Sequence, residues 1–223
     1  MAGCFITIEG VDGSGKSTQV QLLEAYLRRK GYDLVVTQEP GGTVIGDQLR
    51  QVILDSAHTG MTALTEVFLY AAARAQHLNE VIEPALRKGK TVLCSRFYDS
   101  TFAYQGYGAG VDLEVLEQLN HFVVGDLRPD LTIVFDLDPG DGLRRVAERG
   151  ESGGGQPALK DRMERKNLSF HEKVRKGFLE LASKEPDRIK IVKADGDKTL
   201  VFAKACAVID EFLMHSRCGR GKP

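Results

Sequence analysis

The chain has 223 residues and an almost balanced charge, with Lys+Arg 30 against Asp+Glu 31 and a formal net charge of −1. This balance excludes a protein that binds nucleic acid non-specifically through its overall charge, although it allows a local basic pocket. A chain of this length buries enough surface to fold without metal or disulfide staples, and its four cysteines include no CxxC pair. We therefore expect neither a zinc site nor a disulfide framework.

No segment predicts an association with membranes. The apolar runs are all shorter than the ~18 residues of a membrane-spanning helix. Cys4 follows small residues, as in a lipoprotein leader, but no basic or apolar segment precedes it, so we interpret it as a core residue. We expect a cytoplasmic protein with no membrane and no nucleic-acid partner, folded as one domain over residues 1–216 with a disordered tail at 217–223.

Short apolar runs alternate with longer helical patterns along the chain. The apolar runs predict five strands, over residues 5–8, 34–36, 91–94, 131–135 and 189–192. Helical spacing predicts helices over 19–30, 61–86 (where an interruption stays open), 111–124, 159–182 and 200–214. This alternation predicts a three-layer α/β/α fold with a five-stranded parallel sheet, whose ligands bind beyond the carboxyl ends of the strands. The glycines at 153–155 predict a flexible segment.

A phosphate-binding loop follows the first strand and opens the first helix. The string GVDGSGKST fits the pattern G-x-x-x-x-G-K-[ST]. Glycines let successive backbone N–H groups turn towards a phosphate, and the helix points its positive end at the same anion. Lys16 then neutralises the outer phosphates, and the Ser17 hydroxyl ligates magnesium. The residues predicted to bind a nucleoside triphosphate here are Gly10, Gly13, Ser14, Gly15, Lys16, Ser17 and Thr18.

Two other classes of phosphate-loop protein do not fit. The Asn-Lys-x-Asp motif of guanine-specific switch proteins is missing from the sequence. The run at 152–156, SGGGQ, is similar to the signature of transporter ATPases, but it follows the strand that ends at Asp136, whereas that signature precedes such a strand. We interpret this run as a flexible loop.

Arginines and one aromatic residue suggest a second substrate. A phosphoryl-transfer enzyme neutralises charge on donor and acceptor, and the arginine fork suits this role. Tyr70 and Arg74 stand four residues apart, hence on one helix face, where a ring and a guanidinium suit a nucleobase. Packing of Tyr70 in the core is the alternative. The arginines near predicted strand ends or the glycine-rich loop are Arg74, Arg96, Arg145, Arg149 and Arg162.

Three further strings accompany the phosphate loop: EPGGT at 39–43, YAAAR at 70–74 and AYQG at 103–106. Together they resemble the thymidylate kinases of the bacterial type, over a stretch from Phe5 to the DRME and FHEKV strings at 161–164 and 170–174. The resemblance implies a P-loop NTPase fold of the nucleoside monophosphate kinase type with a small lid. It also implies transfer of the γ-phosphoryl group of ATP to dTMP with Mg²⁺, as a step of dTTP synthesis, in a homodimer.

The resemblance also implies the residues of the acceptor site. It places dTMP against Asp12, Glu39, Pro40, Arg50, Tyr70, Arg74, Arg96, Thr101 and Gln105. Arg50 and Arg96 would hold the acceptor phosphate, and Asp12 would lie near the sugar 3′-hydroxyl and the metal. Tyr70 would stack on thymine, and Arg74 and Gln105 would bond to the base edge. Thr101 would lie on the methyl side of the base.

The charge near the transferred group comes from a lid in this type of enzyme. Gly13 stands where the eukaryotic type carries an arginine, and the resemblance implies that a lid at about 144–165 supplies that charge instead. Arg149 matches the lid arginine, while Arg145 and Arg162 are further candidates for contacts with ATP. The resemblance thus implies a catalytic set of Lys16, Asp12, Arg96 and Arg149.

Two positions depart from the family pattern. Ser95 replaces the usual aspartate before Arg96, and Gln38 replaces the usual arginine before Glu39. The changes remove opposite charges at the ends of neighbouring strands, which suggests a lost pair. Two alternatives therefore stay open beside an active thymidylate kinase: a related pyrimidine nucleotide kinase, and a nucleotide-binding paralogue without catalysis. Ser95 favours the paralogue, whereas the retained Lys16, Arg96 and Arg149 favour an enzyme.

Overall fold

The computed structural model describes residues 3–151, 161–216 and 218. The sheet of this part has five strands in the order β2-β3-β1-β4-β5, and every neighbouring pair is parallel. The strands are β1 Phe5–Gly10, β2 Leu34–Gln38, β3 Thr91–Ser95, β4 Leu131–Asp136 and β5 Ile189–Lys193. All five predicted strands are present, so the predicted α/β fold with a five-stranded parallel sheet is confirmed.

The helices of the described part follow the strands in chain order. They are α1 Lys16–Arg29, α2 Val44–Leu54, α3 Ala63–His77, α4 Glu83–Arg87, α5 Tyr98–Thr101, α6 Leu113–Val124, α7 Pro139–Glu151, α8 Leu168–Lys184 and α9 Lys198–His215. Two π-helical segments, Leu78–Ile82 and Phe102–Gly108, continue α3 and α5. Within the described ranges, every helix is too short or too polar to cross a bilayer.

Strand β1 sends alternate side chains into two apolar cores. Ile6 and Ile8 are fully buried and pack in one cluster with Leu23 of α1. Phe5 belongs to the cluster on the other face, where its ring centroid lies 4.9 Å from that of Phe97. Burial of each such side chain contributes on the order of 1.5–3 kcal/mol. Apolar packing on both faces of the sheet accounts for the predominantly apolar strands and for the three layers.

Several helices differ from the sequence prediction. The interruption in the predicted helix 61–86 is real, because the π-helical segment precedes Pro84, which has no N–H to donate. The predicted start of the helix at 159 is wrong, since residues 161–167 form turns and α8 begins at Leu168. The Asn167 side chain caps this helix by accepting from the Phe170 amide at 2.9 Å. The glycine-rich segment lies outside the described residues.

Three helical segments were not predicted. The first, α2, begins after the glycines of EPGGT, where the Thr43 hydroxyl accepts from the Gly46 amide at 2.9 Å. The second is α5 with its π-helical continuation, a stretch whose glycines and aromatic residues carry no helical apolar period. The third is α7, which begins with Pro139 and is rich in charged residues. Polar and aromatic composition therefore hid helices that tertiary packing stabilises.

The two ends of the described chain are joined covalently. Cys4 is buried, as predicted, but it forms a disulfide with Cys218, with the Cα atoms 5.5 Å apart. The sequence analysis expects no disulfide framework because of chain size and cysteine spacing, and this pair corrects that expectation. Spacing along the chain could not reveal that β1 begins beside the segment that follows α9. The rest of the predicted disordered tail, residues 217 and 219–223, lies outside the described part.

The sheet order brings the predicted motifs to one edge. The phosphate loop follows β1, Arg96 follows β3 and Glu39 follows β2, and these three strands are neighbours in the sheet. Because all strands are parallel, their carboxyl ends meet at the same edge. The candidate active site therefore lies at this edge.

Candidate active site

The phosphate loop is a closed turn between β1 and α1. Its glycines Gly10, Gly13 and Gly15 all have positive φ, at 138°, 77° and 89°, which other residues rarely adopt. Lys16 is buried and its Nζ donates to the carbonyl oxygens of Gly10 and Val11, at 2.9 and 2.8 Å. The ammonium group is thus held at the rim of the loop, where a phosphate oxygen can replace a carbonyl.

One pocket brings most of the predicted site residues together. Its lining includes Asp12, Gly13, Gly15, Lys16, Ser17 and Thr18 of the phosphate loop and helix start, and Glu39, Pro40, Arg50, Tyr70, Arg74, Arg96, Thr101 and Gln105 of the predicted acceptor site. Gly10 and Ser14 belong to the same loop but do not line the pocket. The two substrate sites predicted from sequence therefore share one cavity.

Asp12 and Arg96 form an ion pair in the pocket. Arg96 Nη2 donates to Asp12 Oδ1 at 2.5 Å, and the Tyr104 hydroxyl donates to Asp12 Oδ2 at 3.0 Å. Burial alone would raise the pKa of Asp12, but Arg96 and Lys16 outweigh this effect and hold that pKa below its usual value. Asp12 is therefore an ionised, acceptor-only group between the loop and the third strand.

The backbone of Arg96 is strained and held by β1. Its φ is +66°, a conformation that costs a non-glycine residue on the order of 1–3 kcal/mol. The Arg96 amide donates to Ile8 O at 2.9 Å, and the next amide, of Phe97, donates to Glu9 Oε1 at 2.7 Å. Ser100 donates to Glu9 Oε2 at 2.6 Å and accepts from Arg96 Nη1 at 3.1 Å. Glu9 therefore supports the backbone that follows Arg96 and, through Ser100, its guanidinium.

Glu9 supports the candidate site from below, and the sequence analysis missed it. It is fully buried, and this burial, together with nearby Asp99, raises the pKa of Glu9 to about 7. A signal was present, because Glu9 is an acid at the end of an otherwise apolar strand. An acid at such a position requires internal partners.

A buried polar cluster surrounds Glu39 at the end of β2. Arg74 Nε donates to Glu39 Oε2 at 2.9 Å, and Arg74 Nη2 donates to the Thr101 hydroxyl at 3.0 Å. His77 shares hydrogen bonds with Glu39 Oε1 at 3.0 Å and with the Thr37 hydroxyl at 2.6 Å. Two nitrogens of Arg74 are thus fixed by protein, and its position in the pocket is set by β2 and α5. His77, which the sequence analysis also missed, completes this support.

A second buried cluster joins α3 to the turn after the glycine-rich segment. Gln105 Nε2 donates to Glu66 Oε1 at 2.5 Å, and the other Glu66 oxygen pairs with Arg162. Arg162 Nε also donates to Ile53 O at 2.8 Å. The sequence analysis predicts Arg162 at ATP, but the structure places its guanidinium in this cluster. Glu66 was missed, although it stands four residues before Tyr70 and eight before Arg74, on the same helix face.

The remaining walls combine an aromatic ring with polar groups. Tyr70 lines the pocket, and burial raises the pKa of its hydroxyl above the usual value. Arg50 Nη1 donates to Pro40 O at 2.8 Å, in a loop where Glu39 and Pro40 are joined by a cis peptide bond. Asp161 and Glu164 were not predicted, yet both line the pocket.

Helix α7 contacts the phosphate loop through two glycines. A Cβ atom added to Gly13 would lie 2.1 Å from the carbonyl oxygen of Gly142, and one added to Gly142 would lie 2.3 Å from the carbonyl oxygen of Asp12. Further along the helix, Arg145 Nη1 donates to Ala194 O at 3.3 Å, beyond β5. The side chain of Arg149, one turn later, lies outside the described part.

The fold and the site define a P-loop kinase that acts on a small nucleotide. A phosphate loop, a buried lysine, an acidic residue paired with arginine, and a pocket with an aromatic wall lie at the carboxyl edge of one parallel sheet. This is the class predicted from the sequence.

Comparisons with known proteins identify the family. The thymidylate kinase family model matches residues 8–205. The chain is 49% identical over 209 residues to a thymidylate kinase of Desulforapulum autotrophicum, covering 94% of this chain and 92% of that protein. It is 48% identical over 200 residues to one of Exiguobacterium, covering 90% of each. A crystal structure of thymidylate kinase from Ehrlichia chaffeensis aligns with a TM-score of 0.75 at 34% identity, covering 94% of this chain and 99% of that one. The chain therefore belongs to the thymidylate kinase family, as the resemblance implied, and it is a nucleotide kinase.

Proposed function

We propose that this protein transfers the γ-phosphoryl group of ATP to dTMP. An oxygen of the acceptor phosphate attacks the γ-phosphorus, the bond to the β-phosphate oxygen breaks, and dTDP and ADP form. The observation that supports this most is that one pocket is lined both by the phosphate loop and by Tyr70, Arg74 and Gln105. Transfer of this kind needs position and charge neutralisation rather than a covalent protein group.

The donor side of the pocket holds ATP. The loop amides and the N-terminus of α1 surround the phosphates, while Lys16 exchanges its bonds to Gly10 O and Val11 O for phosphate oxygens. Thr18 lines the same wall, and Arg145, whose guanidinium bonds to Ala194 O, lies towards the nucleoside end. ATP is thereby held with its γ-phosphoryl group towards Arg96.

The acceptor side holds dTMP between β2, α3 and the segment after β3. Arg96 and Arg50 bind the 5′-phosphate, and Asp12, ionised and fixed by Arg96, accepts from the sugar hydroxyl. The base lies against Tyr70 beside Thr101. Its edge meets Arg74 and Gln105. Glu39 and Pro40 act indirectly: Glu39 accepts a hydrogen bond from Arg74, and Pro40 O accepts one from Arg50.

The residues present fit Mg²⁺. The Ser17 hydroxyl and the Asp12 carboxylate both line the pocket and offer the hard oxygen ligands that this ion prefers. The ion also keeps several waters in its usual sites, so few protein ligands are needed. When bound, Mg²⁺ neutralises charge on the phosphates of ATP.

The lid and its arginine belong to the same proposal. The expected lid, at about 144–165 within a single domain, overlaps the part that the structure does not describe. Arg149 lies one turn after Arg145 on α7, and the contact of this helix with the phosphate loop at Gly13 supports a position near the transferred group. Its role in catalysis is a prediction from the family pattern.

A homodimer is proposed from exposed apolar residues. Phe68 of α3, Ile45 of α2 and Phe122 of α6 are 55%, 49% and 87% exposed, and these helices are neighbours. Apolar side chains on adjacent helices mark an interaction surface. Phe122→Asp is expected to yield a monomer in sedimentation velocity, while Met214→Asp, a change at another exposed apolar residue, leaves the dimer intact. We further propose a cytoplasmic location without membrane or nucleic-acid partners, supported by the use of ATP and a free nucleotide.

A coupled assay of ADP release tests the proposed function. With ATP and Mg²⁺ present, dTMP is expected to give the highest kcat/KM among dTMP, dUMP, dCMP and dGMP. A preference for another pyrimidine nucleotide would assign the chain to a different kinase specificity. Binding of ATP and dTMP in calorimetry without any turnover would instead indicate a paralogue that has lost catalysis.

A further inference from the structure

Glu66 lies behind the proposed base site without lining it. It is 4% exposed on α3, and its two oxygens contact different elements: Oε1 accepts from Gln105 Nε2 at 2.5 Å, and Oε2 pairs with Arg162. Gln105 is itself 1% exposed and lines the pocket. The side chain that meets the base is therefore held from behind by a buried acid.

The chemistry of this contact fixes the orientation of the Gln105 amide. A carboxylate can only accept hydrogen bonds, and the second oxygen of Glu66 pairs with the guanidinium of buried Arg162. The amide must then turn its NH₂ group to Glu66, as the contact of Nε2 with Oε1 shows. Within the described ranges, no protein group donates to Gln105 Oε1. The end of the amide that remains for a ligand is an acceptor.

The other residue that is proposed to contact the base edge, Arg74, offers hydrogen-bond donors instead of an acceptor. Arg74 is a pure donor, and its Nε and Nη2 are engaged by Glu39 and Thr101. The pocket thus presents a donor from Arg74 and an acceptor from Gln105. Thymine and uracil offer a carbonyl oxygen at position 4 and an N–H at position 3, which complement this order. Cytosine offers an amino group and a bare ring nitrogen, which reverse it.

We propose that Glu66 is the residue that sets the base specificity of this pocket: by orienting the Gln105 amide, it selects pyrimidines with an N3–H and rejects cytosine. The inference rests on the proposed placement of the base and deepens it. Glu66 does not touch the substrate, so it is a positioning residue. Without it, a glutamine side chain can rotate its amide and accept either base.

A comparison of two nucleotides measures the contribution of the base edge alone. Deoxythymidine monophosphate and 5-methyl-deoxycytidine monophosphate share the methyl group, the sugar and the phosphate, and they differ only in the groups at positions 3 and 4 of the ring. The measured quantity is the ratio of their dissociation constants, taken by calorimetry on the full chain. Glu66→Gln keeps the shape of the side chain but offers both a donor and an acceptor. We expect it to reduce the preference for dTMP by about 10-fold or more.

Further variants separate this role from a structural one. Glu66→Gln leaves Arg162 without its charge partner, so Glu66→Gln with Arg162→Gln removes both charges and is expected to give the same reduced preference. The dissociation constant of ATP serves as a control and is expected to stay unchanged. If both pyrimidine nucleotides weaken equally and their ratio stays within about twofold of wild type, the inference is overturned.

A variant of the contacting residue tests the underlying placement. Gln105→Met removes the acceptor and is expected to weaken dTMP and to abolish the preference. If it leaves both dissociation constants unchanged, the base does not lie at Gln105, and the proposed placement fails together with the inference. If Gln105→Met abolishes the preference while the Glu66 variants do not affect it, the placement stands and only the role of Glu66 is refuted.

Discussion

Gln38 and Ser95 are directly opposed in the sheet, at the last positions of β2 and β3. Both line the pocket, and both stand where the resemblance to the family implies a charged residue. We predict that Ser95→Asp lowers the Mg²⁺ concentration needed for half-maximal rate, because it adds an oxygen ligand to the pocket. The gain is partly offset in the single variant, since Gln38 offers no positive charge to the new carboxylate. Gln38→Arg restores that charge.

The size of the coupling follows from the geometry. Adjacent strands lie about 4.8 Å apart, so opposed side chains on one face touch. Unit charges about 4 Å apart interact with ~1 kcal/mol in water and ~4 kcal/mol at the effective dielectric of a protein surface. Gln38 is exposed and Ser95 is half-buried, which places the pair nearer the lower limit. We expect a coupling of about 1 kcal/mol, or a factor of ~5, between Gln38→Arg and Ser95→Asp.

Two measurements on the four proteins of this cycle test the reasoning. Urea unfolding gives the coupling in stability, and the Mg²⁺ dependence of the coupled assay gives it in metal activation. The double variant is expected to exceed the sum of the single variants in both. Additivity within about 0.3 kcal/mol would show that the two positions are independent and that no pair was lost. Identical Mg²⁺ dependence in all four proteins would show that a carboxylate at position 95 is dispensable.

Three further predictions concern single side chains. Lys16→Ala is expected to abolish turnover while the unfolding temperature changes little, and near-wild-type turnover would contradict the assignment of the phosphate loop. Arg149→Ala is expected to lower kcat on the order of 10²-fold with little change in the KM for dTMP, because we propose that Arg149 meets the transferring group; an effect on KM alone would make it a docking residue. The raised pKa of Glu9, about 7 against 4.5, means that the folded state keeps a proton that the unfolded chain has released, so stability falls as pH rises through this interval. Glu9→Gln removes this loss, so its free energy of unfolding relative to that of the wild type is expected to rise by about 3 kcal/mol between pH 4.5 and 8. Urea unfolding at several pH values measures this difference, and a difference that does not change with pH would refute the raised pKa of Glu9.

The strands and the chemistry-bearing motifs were predictable because they are local. Apolar runs marked all five strands, and the strings around Lys16, Glu39, Arg74 and Gln105 marked residues that do meet in one pocket. The order of the strands was not predictable from periodicity, because the residues of a buried strand do not indicate which strand lies next to it. Helix α2 and the helical segment at 98–108 were hidden for a related reason, because glycines and polar residues interrupt their apolar period.

The residues that hold the site were harder to predict than the residues that form it. Glu9 and Glu66 are ordinary acids in sequence, and only the fold places Glu9 against Ser100 and Glu66 against Gln105. Arg162 was predicted for its charge, but charge alone could not distinguish a phosphate partner from a buried carboxylate. Likewise, Cys218 pairs with Cys4 because the fold brings the two ends of the described chain together. Each of these contacts joins segments far apart along the chain.

The touching backbones of Gly13 and Gly142 make an arginine in the phosphate loop incompatible with the present position of α7. Any side chain at position 13 would collide with the carbonyl oxygen of Gly142, which is backbone and cannot rotate away. An arginine in the loop, as in the eukaryotic type, therefore requires that α7 be displaced. That displacement would also move Arg145 and Arg149, which lie further along the same helix. An arginine can therefore be introduced at position 13 only if α7 also takes a different position. Substitution of the glycine alone would produce a steric conflict with the backbone of α7.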